Sequence, residues 1–250
     1  MTAEPLRILI LGAHPDDADI KAGGTAAKWS AMGHVVRLVS LTDGGAGHQS
    51  ERGPGLARRR RAEAEAVAAI IGASSEVGGV PDGTLDDGIE SRHRVIRLIR
   101  GFRPDLILTH RPTDDHPDHR FAGLLVQDAA YLLTVPAICP DSPHLAASPV
   151  VLDFSDAFRK PCRFEPHVTV DIGREFDEAA IVGDVAAHGG PTGRISNHPI
   201  NAATSFVMPG TRGRFRPCRA SSRPSARALA RPNPEPPGSA GIRDYPSRRR

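Results

Sequence analysis

Apolar residues recur along the first 180 positions in two alternating rhythms. Short aliphatic and β-branched runs, RILILGA (7–13), HVVRLVSLT (34–42), DLILTH (105–110), PVVLDFS (149–155) and HVTVDI (167–172), predict strands. Between them AGGTAAKWSAMG (22–33), LARRRRAEAEAVAAIIG (56–72), IESRHRVIRLIRGF (89–102) and HRFAGLLVQDAAYLL (119–133) set their apolar residues at helical spacing. SEVGGV (75–80) predicts a weak extra strand. This alternation is the signature of βα units, and it predicts an α/β fold of the doubly wound kind: a mostly parallel sheet with helices on both faces. No repeat at solenoid periods competes with that reading.

After about residue 185 the periodicity disappears and Gly, Pro, Ser and Arg dominate. Segments such as RPNPEPPGSAG carry too little apolar surface to order themselves. The expected organisation is a domain over 1–185, an atypical end of that domain over 186–208, and an irregular or disordered Arg/Pro/Ser-rich tail over 209–250. That tail also explains the charge. The chain is formally +3, but the tail holds eleven arginines against two acids, which leaves the rest at −6. The basic balance therefore belongs to the tail and the domain is mildly acidic. In ARRRRAEAEA the arginines precede glutamates at i+3 and i+4 spacing, which reads as a solvated helix face and not as a nucleic-acid site.

Three cysteines, Cys139, Cys162 and Cys218, are odd in number, widely spaced and without a CxxC pairing. Neither a disulfide framework nor a cysteine zinc site is indicated, and a reducing, cytoplasmic compartment is expected. The apolar run Ile8 to Ala13 is far shorter than a signal-peptide core or a membrane span.

Candidate chemistry sits at two strand ends. The first strand runs into LGAHPDDADIKAGGT, which puts His14, Asp16 and Asp17 on a loop at the carboxyl edge of the sheet, where open α/β folds build ligand sites. DLILTH runs into RPTDDHPDHR, which puts His116, Asp118 and His119 on a second loop at the same edge, opening a helix. First and fourth strands are neighbours in a doubly wound sheet, so clusters about a hundred residues apart can meet at the switch point. Two imidazoles and one carboxylate, with one position left for water, suit catalytic zinc better than a sealed structural site. Adjacent aspartates can then divide the work, Asp17 coordinating and Asp16 taking the proton of the attacking water. Alone, HPDD reads equally well as a turn with solvated acids, and HPDH as a helix cap. His34, His48, His93, His110, His144, His167 and His198 have no comparable context and are expected on the surface or in the core.

AHPDDAD and HPDH together resemble the PIG-L/LmbE-like deacetylases, zinc enzymes of Rossmann-like fold that remove acetyl groups from N-acetylglucosamine-type conjugates. The likeness spans roughly residues 6–180 and includes TDGGAGHQ, RRRAEAEAVAAIIG, VPDGTL and THRPTDDHPDHR. The resemblance implies metal ligands at His14, Asp17 and His119, a general base at Asp16, a protonated His116 facing the oxyanion, and Asp118 orienting His116. It implies Zn2+, or another divalent metal such as Fe2+, and a small N-acetylated sugar or glycoconjugate as substrate, with no specific nucleic-acid partner. Arg59 or Arg60, and Asp82, fall where relatives place substrate-binding groups.

Two departures stand out. Relatives commonly carry Glu directly after the paired aspartates, whereas Ala18 stands there and Asp19 follows. Relatives also end in a helix with an HxSQ-like segment that walls the site, and here FDEAAIVGDVAAHGGPTG leads into Arg/Pro-rich sequence with His188 as the sole remnant. The expected function is a zinc-dependent N-deacetylase. The alternatives are a metal-binding but inactive family member, truncated or frame-shifted, and an anion-binding arginine tail. A dinucleotide oxidoreductase is excluded: GAHPDD replaces GxGxxG, and its aspartates repel a pyrophosphate.

Overall fold

The structure, a computed structural model, describes residues 4–172 and, as backbone, Ala203–Val207. The first strand, β1 (Arg7–Gly12), alternates its apolar side chains between two layers. Ile8 and Ile10 pack with Ala22, Ala26 and Ala27 of α1 (Asp17–Ala31) and with Val67 and Ala68 of α2 (Pro54–Ile70). Leu9 and Leu11 pack with Val95, Ile96 and Ile99 of α3 (Ile89–Phe102) and with Leu125, Val126 and Ala129 of α4 (Pro117–Leu132). Both faces of β1 are thus covered, which is why its run is continuously apolar.

Five strands are parallel: β3 (Ser74–Val80), β2 (Val35–Thr42), β1, β4 (Leu106–Thr109) and β5 (Val150–Asp153), in that spatial order. Beyond β5 the order continues through β7 (Ala203–Val207) and β6 (Val168–Thr169), with β5–β7 and β6–β7 antiparallel. The predicted architecture therefore holds. The chain leaves β1 toward β2 on one side and returns from α3 to β4 on the other, so the switch point lies between β1 and β4.

Several boundaries differ from the periodic reading. The weak SEVGGV signal is a full strand on the edge of the sheet, half exposed, which is why it lacks an apolar run. Helix α1 begins five residues before its apolar stripe, because Asp17, Ala18 and Asp19 are buried at its first turn against the end of the sheet. ATSFV at 203–207, in the stretch read as an atypical end of the domain, is strand β7. The expected domain borders at 185 and 208, the disordered tail and His188 lie outside the described residues. Cys139 is a free buried thiol, whereas Cys162 is disulfide-bonded, against the expectation of unpaired cysteines. Among the described residues no helix is long and apolar enough to cross a membrane.

Two close approaches position the site. A Cβ at Gly12 would lie 2.5 Å from the Cβ of Asp17, so only glycine lets α1 start tight against the end of β1. A Cβ at Gly123 would lie 2.4 Å from the carbonyl oxygen of His110, so α4 rests directly on the segment leaving β4. The far end of α4 is held by Arg100, 3% exposed, whose guanidinium donates to the carbonyls of Leu132, Leu133, Val135, Ile138, Cys139 and Ser142.

Candidate metal centre

The two loops meet at the switch point. His14 and Asp17 come from the turn between β1 and α1, and His119 from the first turn of α4, where His116 is the N-cap and Pro117 opens the helix. His14 Nδ1 lies 3.2 Å from His119 Nε2 and 3.3 Å from Asp17 Oδ2, and His119 Nε2 lies 3.2 Å from Asp17 Oδ1. A tetrahedral zinc ion with bonds of about 2.0–2.1 Å sets its ligand atoms about 3.3–3.4 Å apart. The three side chains have the donor chemistry for a zinc ion and pairwise spacings close to that value, Asp17 facing His14 with Oδ2 and His119 with Oδ1. Three overlapping donor sets also gather within 4.8 Å, namely His14/His116/His119, Asp17/His110/His119 and His14/Asp82/Asp118. His14, Asp17 and His119 take members from all three of them.

Each proposed ligand is oriented by a partner on its far side. His119 Nδ1 faces Asp114 Oδ2 at 3.3 Å, and Asp114 Oδ1 accepts the His116 amide at 2.8 Å. His14 Nε2 faces Asp118 Oδ2 at 3.3 Å and Asp82 Oδ1 at 3.2 Å. Asp17 Oδ2 accepts the amides of Ala13 and His14 at 2.9 and 2.7 Å and lies 3.0 Å from His110 Nε2. Such outer partners fix ring orientation and leave one nitrogen of each imidazole aimed inward.

The electrostatics follow the same geometry. Burial opposes the charged form of Asp17, yet His110, His119 and His14 hold its carboxyl well below the usual range. Burial also opposes a charged His119, but Asp114 and Asp17 raise its imidazole to about 9. His14 is raised against its burial by Asp17 and Asp82. His116 is lowered, first by burial and then by the neighbouring imidazoles His14 and His119. Its Nδ1 accepts the Asp118 amide at 3.2 Å, which leaves Nε2 as its donor. This favours a neutral His116 in place of the expected protonated one.

Asp118 also differs from its expected role. Its carboxylate is fully buried and accepts the amides of Gly83 and Leu85 at 2.7 and 3.3 Å while facing His14. The tie to His116 is made by its backbone amide. Arg60, not Arg59, reaches the site: it donates to Asp16 Oδ2 at 2.5 Å, whereas Arg59 pairs with Glu51 and Glu63. Asp16 and Arg60 line a cleft of about 300 Å³ together with His14, Asp82, His116 and His119.

His110 and Asp114 are the residues that sequence reasoning missed. His110 is 1% exposed and stacks on His119 with ring centroids 4.1 Å apart. It was expected among histidines without context, although its place at the end of the DLILTH strand was the available signal. Asp19 is buried with both oxygens unpartnered, and burial plus the charge of Asp16 push its carboxyl well above the usual range.

Residues 9–130 match the family described as PIG-L, GlcNAc-PI de-N-acetylase. The chain is 34% identical over 136 residues to the diacetylchitobiose deacetylase of Thermococcus kodakarensis, a match covering 52% of this chain and 51% of that protein. It is 27% identical over 178 residues to a 4-oxalmesaconate hydratase of Pseudomonas putida, covering 68% and 69%. Among solved structures, the N,N'-diacetylchitobiose deacetylase of Pyrococcus horikoshii superposes with a TM-score of 0.64 at 27% identity, covering 74% of this chain and 70% of that one. The match spans about half the length of the curated deacetylases. Across residues 9–130, from within β1 into α4, the chain carries a stretch of PIG-L type.

Proposed function

We propose that this chain is a metal-dependent N-deacetylase that hydrolyses the acetamide of a small N-acetylated amino sugar or glycoconjugate. The observation that carries the reading is the His14/Asp17/His119 tripod opening into a cleft bordered by Asp16 and His116. His14, Asp17 and His119 would hold the ion, with zinc favoured by the donor set and Fe2+ as the other candidate. When bound, the ion supplies Lewis acidity to the acetamide carbonyl and lowers the pKa of water toward about 7. Asp16, on the cleft wall, takes the proton of the attacking water, and Arg60 holds that carboxylate in place. His116 turns its Nε2–H toward the oxygen on which negative charge develops. Asp16, now carrying a proton, delivers it to the leaving nitrogen, so that acetate and a free amine result.

The reading is tested by metal analysis coupled to an acetate-release screen over N-acetylated sugars. We expect about one ion per chain and turnover, both lost in Asp17→Ala. Metal-free, inactive wild-type protein would refute the reading, and bound metal without turnover on any substrate would favour the inactive family member.

The hydratase relative supports a second reading, in which the same centre adds water to a carbon–carbon double bond of an unsaturated acid. Incubation with 4-oxalmesaconate separates the two: loss of its conjugated absorbance without acetate release from any N-acetyl sugar would select the hydratase.

A further inference from the structure

Asp82 opens the turn after β3, and both oxygens of its carboxylate are engaged within the chain. Oδ1 lies 3.2 Å from His14 Nε2, and Oδ2 accepts the backbone amide of Ala46 at 2.9 Å. The Asp82 amide in turn donates to Asp43 Oδ1 at 3.1 Å, the oxygen that also accepts the Gly45 amide at 2.9 Å. The side chain is only 8% exposed. One carboxylate thus connects an inward-facing imidazole to the 43–48 loop, which contributes Gly44 and Gly47 to the cleft wall.

An imidazole that offers Nδ1 to a cation must carry its proton on Nε2, and that proton needs an acceptor. Asp118 Oδ2 is one candidate at 3.3 Å, but it also accepts the Gly83 amide at 2.7 Å. Asp82 Oδ1 is equally near and has no other partner at that oxygen among the contacts described.

We propose that Asp82 is a positioning residue for His14 and not a substrate contact. It shares the Nε2–H of His14 with Asp118, aims Nδ1 at Asp17 and His119, and ties the 43–48 loop to the metal centre. Cation affinity and the shape of the cleft wall are thereby set through one side chain. This inference rests on the metal reading of the site.

Asparagine at this position separates the two duties, because its amide has one accepting oxygen and one donating NH2. It can accept from His14 or from Ala46, and in either orientation the NH2 faces a donor. Metal-free wild type, Asp82→Asn and Asp82→Ala are titrated with Zn2+ against a chromophoric chelator, with folding checked by circular dichroism. Loss of an outer partner typically weakens metal affinity about 10–100-fold. We expect a loss in that range for Asp82→Ala, a smaller one for Asp82→Asn, and changed visible bands in the Co2+-loaded Asp82→Ala protein. Zn2+ affinity within about twofold of wild type in both variants would overturn the proposal, whereas wild-type protein that binds no Zn2+ would overturn the metal reading itself. Should the variants not fold, amide exchange at Ala46 in wild type decides: we expect it to slow when Zn2+ is added, and an unchanged rate would overturn the link between loop and metal.

Discussion

His110 faces Asp17 through Nε2 while its ring stacks on His119, so one side chain braces two proposed ligands. His110→Ala is expected to weaken Zn2+ binding about 10–100-fold while the fold persists, and a chelator competition measures it. Asp19 presents the opposite case. Its buried carboxylate has no hydrogen-bond partner, which costs stability. Because burial and Asp16 raise its pKa in the folded protein, the carboxyl costs stability as the pH rises above the unfolded value. Asp19→Asn removes that titration, so its Tm relative to wild type, followed by calorimetry, is expected to rise with pH, and a difference independent of pH would contradict that account. At this scale residue types revealed much. A His and two Asp on one loop and HPDH on another announced cation chemistry, and Arg60 and Asp82 were singled out as polar groups of the site. Their contacts were not readable: Arg60 bonds Asp16, Asp82 faces His14, and the Asp118 carboxylate accepts the Gly83 amide and faces His14.

Among the elements, α4 matters most, since its first turn carries His119 and its N-cap is His116. It lies against the segment leaving β4 at Gly123, where a methyl group would meet the His110 carbonyl. Gly123→Ala is expected to destabilise the protein by about 1–3 kcal/mol in urea unfolding. It should also lower Zn2+ affinity, because pushing α4 outward separates His119 from Asp17. The helical period announced α2, α3 and α4 within a few residues. It failed for the start of α1, where the helix begins on a buried polar turn with no apolar stripe. It understated β3, because an edge strand buries too little to need an apolar run.

For the whole molecule, the charge divides unevenly, with a strongly positive segment after residue 209 and a mildly acidic remainder. All proposed ligands and their outer partners lie between Ala13 and His119, within the compact unit Met1–Phe215. Removal of residues 216–250 is therefore expected to leave the metal content per chain unchanged, as elemental analysis of the shortened protein would show. A loss of bound metal would mean that the arginine-rich segment contributes to the centre.

The sequence by itself determined the alternation of strands and helices, the strand ends that carry chemistry, and the donor types suited to a cation. Periodicity reports which faces are buried, and short spacings report which side chains share a loop. Tertiary structure alone decided which donors converge, because His14 and His119 are 105 residues apart and meet only through the β1–β4 pairing. It likewise brought in His110 and Asp114 and placed Asp82 against His14. Those contacts depend on parallel register and on the packing of α4 over the end of β4, neither of which any local run of residues encodes.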